Sequence, residues 1–228
     1  MSSAHPLTYP VGVTLGALAV CAAWAPFANS SQLAVLAAVA LVILGYTAFQ
    51  VCTARGLLPL GLPVPATAVV KRVRQEHRLV SRSWLEFSGV SADCAQSSTG
   101  APGTWWVPVY FDPALVSLTE AKAVLGGRQV WVGGLRVYPS GRARTTEPPG
   151  RLIDNPSRPG PDSRGLAVAA ARTARRLLLD AQSGVAAPFA ALLWVYLDGG
   201  GLPAFAGAFC VAFGTAVWLA AIRGSDPS

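Results

Sequence analysis

Charge is the scarcest ingredient of this 228-residue chain. Asp, Glu, Lys and Arg together make up 13% of it, about half the ~25% usual in soluble domains. None of them occurs before Arg55. A leading stretch of 54 uncharged residues excludes a simple soluble protein. Catalytic material is also thin. The two histidines are His5, close to the N-terminus, and His77, within a basic stretch. There is no HExxH, no phosphate-binding P-loop, no dinucleotide glycine pattern and no GxSxG, so the common hydrolase and nucleotide-binding signatures are missing. A cysteine nucleophile at Cys94 would have His77 as its sole candidate base, which makes an enzyme the third reading here. Cys21, Cys52, Cys94 and Cys210 share no CxxC spacing. Neither a metal site nor a structural disulfide is expected from them, and no cofactor is expected.

Long apolar runs are abundant instead. Hydrophobic residues make up 52% of the chain. Two runs, roughly Tyr9–Phe27 and Leu33–Cys52, each approach the ~20 residues that cross a hydrocarbon core of ~30 Å. The polar "ANSSQ" separates them. Near the other end, Ser183–Leu197 is apolar but short, "DGGGLP" interrupts it, and Ala204–Ile222 forms a fourth run. The third run can begin earlier, as a continuation of the helix before it. A cleaved secretory signal is the competing reading of the first run. It is rejected because no basic residue precedes that run and a second run follows at once.

All 18 Lys and Arg residues lie at or beyond Arg55, and neither hairpin turn carries one. Cytoplasmic segments keep the excess of Lys and Arg. The expected protein is therefore a multi-pass plasma (inner) membrane protein whose central block and termini are cytoplasmic. The net charge of +7 then favours anionic lipid headgroups. Nucleic-acid binding is not expected, since the basic residues are scattered among acids.

The middle of the chain changes character. "ATAVVKRVRQ", "SWLEFSG", "RQVWVGG" and "LRVYPSGRART" are short alternating runs with Gly, Pro and Ser between them, the pattern of a small all-β unit. In "WWVPVYFDPAL" an extended chain places Trp105, Val107, Val109 and Phe111 on one face, and Trp106, Pro108, Tyr110 and Asp112 on the other. Pro108 marks an edge strand or a bulge. "DPAL" reads as a helix start, with Asp112 as N-cap and Pro113 at the first position, giving a short helix over Pro113–Leu118. The face carrying Trp106 and Tyr110 has three possible covers: the domain's own loop, the membrane interface or a partner. The fold class expected is membrane α plus a small all-β domain, with two transmembrane helices on each side of a cytoplasmic β-barrel-like unit. The expected divisions are a transmembrane hairpin over 1–55, a β domain over 56–145, a Pro/Gly-rich linker over 146–165, and an amphipathic helix with a second hairpin over 166–228. The linker is expected to hold neither helix nor strand.

Contact surfaces are the remaining candidates. Gly12 and Gly16 form a GxxxG pattern that lets helices approach closely. Ala206, Cys210 and Gly214 repeat at four-residue spacing in the fourth run. Both sets are candidate partner-binding surfaces, or else packing surfaces for the protein's own spans. Trp106 and Tyr110 join the partner-binding candidates. Arg172, Arg175 and Arg176 lie together on the helix before the third run, where long arginines can reach lipid phosphates. No charge falls within the four runs as bounded above, which argues against an ion path formed by this chain alone.

The order of spans, β domain and spans, with "WWVPVYFDPAL" and the strands after it, resembles the lipid uptake coordinator (Luc-type) proteins of mycobacteria and related actinobacteria. These are accessory membrane subunits of the Mce lipid importers. The scarcity of Lys, limited to Lys71 and Lys122, beside abundant Arg, Ala and Gly suits that source. The resemblance implies a non-catalytic subunit that binds a transporter permease and stabilises fatty-acid or sterol import. It assigns no active-site residue. The alternative is a self-associating membrane-anchored β-domain scaffold of the NfeD-like kind.

Overall fold

The computed structural model describes residues 5–62, 66–77, 79–92, 104–126, 128–155 and 160–228. Among the described residues, four helical stretches are long and apolar enough to cross a membrane: Thr8–Phe27, Ser30–Arg55, Thr173–Asp198 and Gly201–Ile222. Two precede the β unit and two follow it, so the chain has the layout of a multi-pass membrane protein.

The first stretch is α1 (Thr8–Trp24) continued by one 3-10 turn, Ala25–Phe27. The second is α2 (Ser30–Arg55). A capping box opens α2: the Gln32 amide donates to Asn29 Oδ1 at 2.9 Å, and the Asn29 amide donates to Gln32 Oε1 at 3.2 Å. These bonds satisfy two of the amides that a helix start leaves free. Gly56 closes α2 in the left-handed conformation, φ 78°. A Cβ there would stand 2.6 Å from the Arg128 carbonyl oxygen, so the chain leaves the bundle for the sheet through a position that only glycine fills.

Among the described residues the sheet has seven strands: β1 (Ala66–His77), β2 (Val80–Ala92), β3 (Trp105–Val109), β4 (Ala121–Gly126), β5 (Gln129–Val132), β6 (Leu135–Val137) and β7 (Arg151–Asp154). All pairings are antiparallel, in the order β3-β2-β1-β4-β5-β6. The long β1 pairs with β2 on one side and is shared on the other, its first half with β4 and its second half with β7. The curled sheet is a half-barrel. The outer edge of β3 is partly closed by the segment after β6. Trp106 and Arg144 exchange both backbone hydrogen bonds, and the Ser140 amide donates to the Pro108 carbonyl. Pro108 lies two residues from Trp106, so its missing N–H falls on this loosely paired edge. The expected edge strand is thus found. The short helix after it is also found, as a 3-10 turn over Pro113–Ser117 with Asp112 Oδ1 accepting from the Ala114 amide at 2.9 Å.

One face of the sheet holds the main core, with Leu85, Phe87, Val107, Val109, Leu115 and Val132 buried. The other face of β1–β3 is covered as well. Val73, Trp84 and Trp106 pack together against Leu152 of β7. Here the linker expectation fails. Residues 151–154 form a strand, because the second half of β1 lies beyond the reach of β4 and offers them its edge, and Leu152 packs on the Trp84 surface. Before it, Gln75 ties the segment down: its Oε1 accepts from Trp84 Nε1 at 2.7 Å, and its Nε2 donates to the Pro149 carbonyl.

The amphipathic helix expected to open 166–228 is two helices, α3 (Ser163–Ala170) and α4 (Thr173–Ala181), broken at Ala171–Arg172. A 3-10 segment, Gln182–Ala186, joins α4 to α5 (Ala187–Asp198). The third apolar stretch therefore does begin before Ser183, and its opening turns carry Arg175, Arg176 and Asp180. That corrects the expectation of an uncharged third span, which holds only for its part 183–197; Thr8–Phe27 and Gly201–Ile222 carry no charge. Finally α6 (Gly201–Ile222) runs back through the middle of the bundle, packing on both α1 and α5. At the far end the two hairpin turns meet, where Gln32 Nε2 donates to Asp198 Oδ2 at 2.7 Å.

Candidate functional site

Trp106 and Tyr110 are buried, at 7% and 1% exposure, and both are covered by this chain. Trp106 belongs to the cluster under β7 described above. Tyr110 packs with Leu7, Ala54 and Tyr138, and its hydroxyl donates to the Ile222 carbonyl at 2.7 Å. Burial lifts the Tyr110 phenol above its ordinary range. Neither residue presents a free face to a partner, which corrects that expectation. Of the three covers weighed for this face, the protein itself supplies it: Tyr110 is the bolt between the sheet and the ends of α1, α2 and α6.

The segment after α6 forms a second bolt. Gly224 turns the chain at φ 81°, where a Cβ would stand 2.7 Å from Ser140 Oγ. The following residues then run beside β2, with a bridge between Ser225 and Arg82 and the Asp226 amide donating to the Ser81 carbonyl. Asp226 reaches Arg72 of β1, Nη2 to Oδ2, at 2.5 Å, with both side chains buried. Ser83 Oγ donates to the same oxygen. Arg72 spends its other nitrogens on Ser83 and Asn155, and Asn155 Nδ2 donates to the Leu115 and Leu118 carbonyls. Burial alone would raise the Asp226 carboxyl. Arg72, Ser83 and Ser228 outweigh it and hold the group below its ordinary range.

A third polar knot joins α1, α4 and the same tail. Tyr9 donates to Asp180 Oδ2 at 2.5 Å, and Ser225 Oγ donates to that oxygen at 3.0 Å. The Arg176 guanidinium lies 3.8 Å above the Tyr9 ring and donates to the Ser225 carbonyl at 3.3 Å. The three arginines expected to lie together at the headgroups are thereby separated. Arg172 and Arg175 are exposed. Arg176 is 5% exposed and committed to the knot, because its position on α4 turns it inward toward Tyr9. Elsewhere at the junction, burial together with the nearby Arg223 and Arg144 lowers the Arg82 guanidinium from its ordinary value.

Beside this knot opens a crevice of about 1270 Å³. One wall is α1 as far as Val20 together with His5 and Pro6 just before it, and another is α6 at Phe213, Gly214 and Val217. The turn around Pro113 and the start of α4 complete it. Gly12 and Gly16 stand on the α1 wall, and among the described residues nothing lies within 4 Å of where a Cβ would be. Gly214 is used internally, its Cβ position being 4.0 Å from Ala17 and Val20. Ala206 and Cys210 are half-buried on α6, outside the crevice. The two small-residue candidates therefore differ: Gly214 brings α6 against α1, whereas Gly12 and Gly16 keep a space open.

Sequence reading missed Arg72, Asp226 and Asn155. The one available signal was Asp226 itself, the sole acid after the fourth span. Cys94 lies outside the described residues. Among the described residues, no group of three or more His, Cys, Asp or Glu is placed to hold a metal ion. Compared with protein families, curated proteins and solved structures, the chain matches none.

Proposed function

We propose that this chain is a non-catalytic accessory subunit of a membrane lipid-import complex of the Mce type, bound to a transporter permease through its spans. The supporting observation is mechanical. The Arg72–Asp226 pair, the Tyr110–Ile222 bond and the Tyr9–Asp180–Ser225 knot weld the half-barrel to the helices. A bundle welded in this way passes any displacement by a neighbouring permease to the β domain without slack, which suits a bracing subunit. Much of α2 and α5 exposes large apolar side chains, Leu41, Val42, Phe189 and Leu193 among them, and these provide surface for lipid or neighbouring spans. The sheet and both termini face the cytoplasm of the inner membrane, with every basic residue on that side. Exposed Arg172 and Arg175 meet anionic headgroups there.

The test is capture of the tagged full chain from its own membranes in mild detergent, followed by mass spectrometry. Stoichiometric permease or importer subunits support the proposal. Recovery of the chain alone as a defined oligomer overturns it in favour of the scaffold reading. Sidedness is checked with an Ala28→Cys variant in a background lacking the native cysteines. An impermeant thiol reagent should label it from outside intact cells.

A further inference from the structure

The crevice beside α1 has a polar end and an apolar end. Polar side chains line it at the start of α1, where His5 lies and Arg176 sits over Tyr9, on α3 at Arg164, and at the turn after β3 at Asp112. Gly16, Val20 and Phe213 lie deeper in the bundle. From Thr8 to Val20 the helix rises about 18 Å at 1.5 Å per residue, more than half of a ~30 Å hydrocarbon core. The volume of about 1270 Å³ exceeds the ~300–1,000 Å³ of ordinary small-molecule pockets. Length, apolar depth and a basic mouth match an amphiphile with one anionic head.

The groups at the mouth narrow the head. Two arginines stand against one aspartate, and Asp112 Oδ1 already accepts from the Ala114 amide. Asp180 shares the buried knot with Arg176, so recognition of the head falls to the hydrogen-bond donors of the lining arginines rather than to an excess of charge. Arg176 is buried, its guanidinium lies over the Tyr9 ring, and among the described residues its Nε has no hydrogen-bond partner. An unsatisfied buried donor of this kind is costly. Planar guanidinium geometry matches the two oxygens of a carboxylate. A carboxylate is also small enough to approach a side chain so deeply set, whereas a glycerophosphate head is not.

We infer that the crevice is a binding site for a long-chain carboxylate, with its acyl chain along Gly12, Gly16 and Phe213 and its head at Arg176. This goes beyond the subunit reading and rests on the crevice, not on any partner.

The test uses the purified full chain in phosphatidylcholine nanodiscs and a diazirine-bearing palmitate analogue, with adducts mapped by mass spectrometry. Adducts should fall on α1 and α6 residues of the crevice. Oleate should compete at least about tenfold better than oleyl alcohol, roughly 1.4 kcal/mol of head-group recognition. Gly16→Leu, whose Cβ has no described atom within 4 Å, should lower labelling about tenfold at unchanged thermal stability. Gly12→Leu serves as the second variant should the first not fold. Arg176→Gln should remove the preference for oleate over the alcohol. The inference is overturned by adducts spread evenly over α2 and α5, by equal competition from the alcohol, by full labelling of a folded glycine variant, or by competition from phosphatidylglycerol but not oleate. The chain is alone in this assay, so failure here leaves the permease capture unaffected, and the reverse holds too.

Discussion

Arg72 and Asp226 stand 154 residues apart in the chain and 2.5 Å apart in space. One comes from the first strand of the sheet, the other from the segment that follows the last span. Their pairing makes the C-terminal tail a structural part of the half-barrel. Buried pairs of this kind rarely add much net stability over an apolar replacement, but breaking one side is expensive, since the other charge is left without a partner.

Asp226→Asn should therefore destabilise the protein by about 3–5 kcal/mol, read as a lower midpoint in tryptophan-fluorescence melting in detergent. A double replacement, Arg72→Met with Asp226→Leu, should recover most of that loss. A single variant as stable as the parent would show that the pair is not buried as described.

The same pair sets a pH dependence. The folded Asp226 carboxyl is held below its ordinary value of 3.8, so the unfolded chain takes up the proton first as pH falls. Its contribution is whole above that value and is lost as pH drops through the lower, folded one. Acid unfolding of the parent should be steeper below pH 3.8 than that of Asp226→Asn. Parallel acid limbs would count against the assignment.

Gly184, between α4 and α5, leaves room for Phe213 of α6. A Cβ at Gly184 would lie 2.3 Å from the Phe213 ring. Gly184→Ala should cost about 1–3 kcal/mol by overpacking, and Phe213→Leu in the same chain should return part of it. Melting midpoints of the three variants decide the matter.

The three arginines near the third span should separate by role. Arg172→Gln and Arg175→Gln change exposed side chains and should shift stability by no more than about 0.5 kcal/mol. Arg176→Gln removes a buried contact with Tyr9 and Ser225 and should lower the melting midpoint clearly. Equal effects from all three would argue that Arg176 is not inside the knot.

Sequence alone determined the apolar stretches, their pairing into two hairpins, and a β unit between them. Each of those features is local: a run of ~20 apolar residues or a two-residue alternation is written in consecutive positions. The proline edge and the Asp112 cap were legible for the same reason. Tertiary structure decided what covers the aromatic face, because Trp106 and Tyr110 meet Leu152 and Ile222 from distant parts of the chain. It also turned "RLID" from linker into strand, since β1 had an unpaired edge there. It separated Arg176 from its neighbours and opened the space beside Gly12 and Gly16. A small residue reads the same in sequence whether a helix packs on it or a crevice does, and only the positions of the other helices distinguish the two.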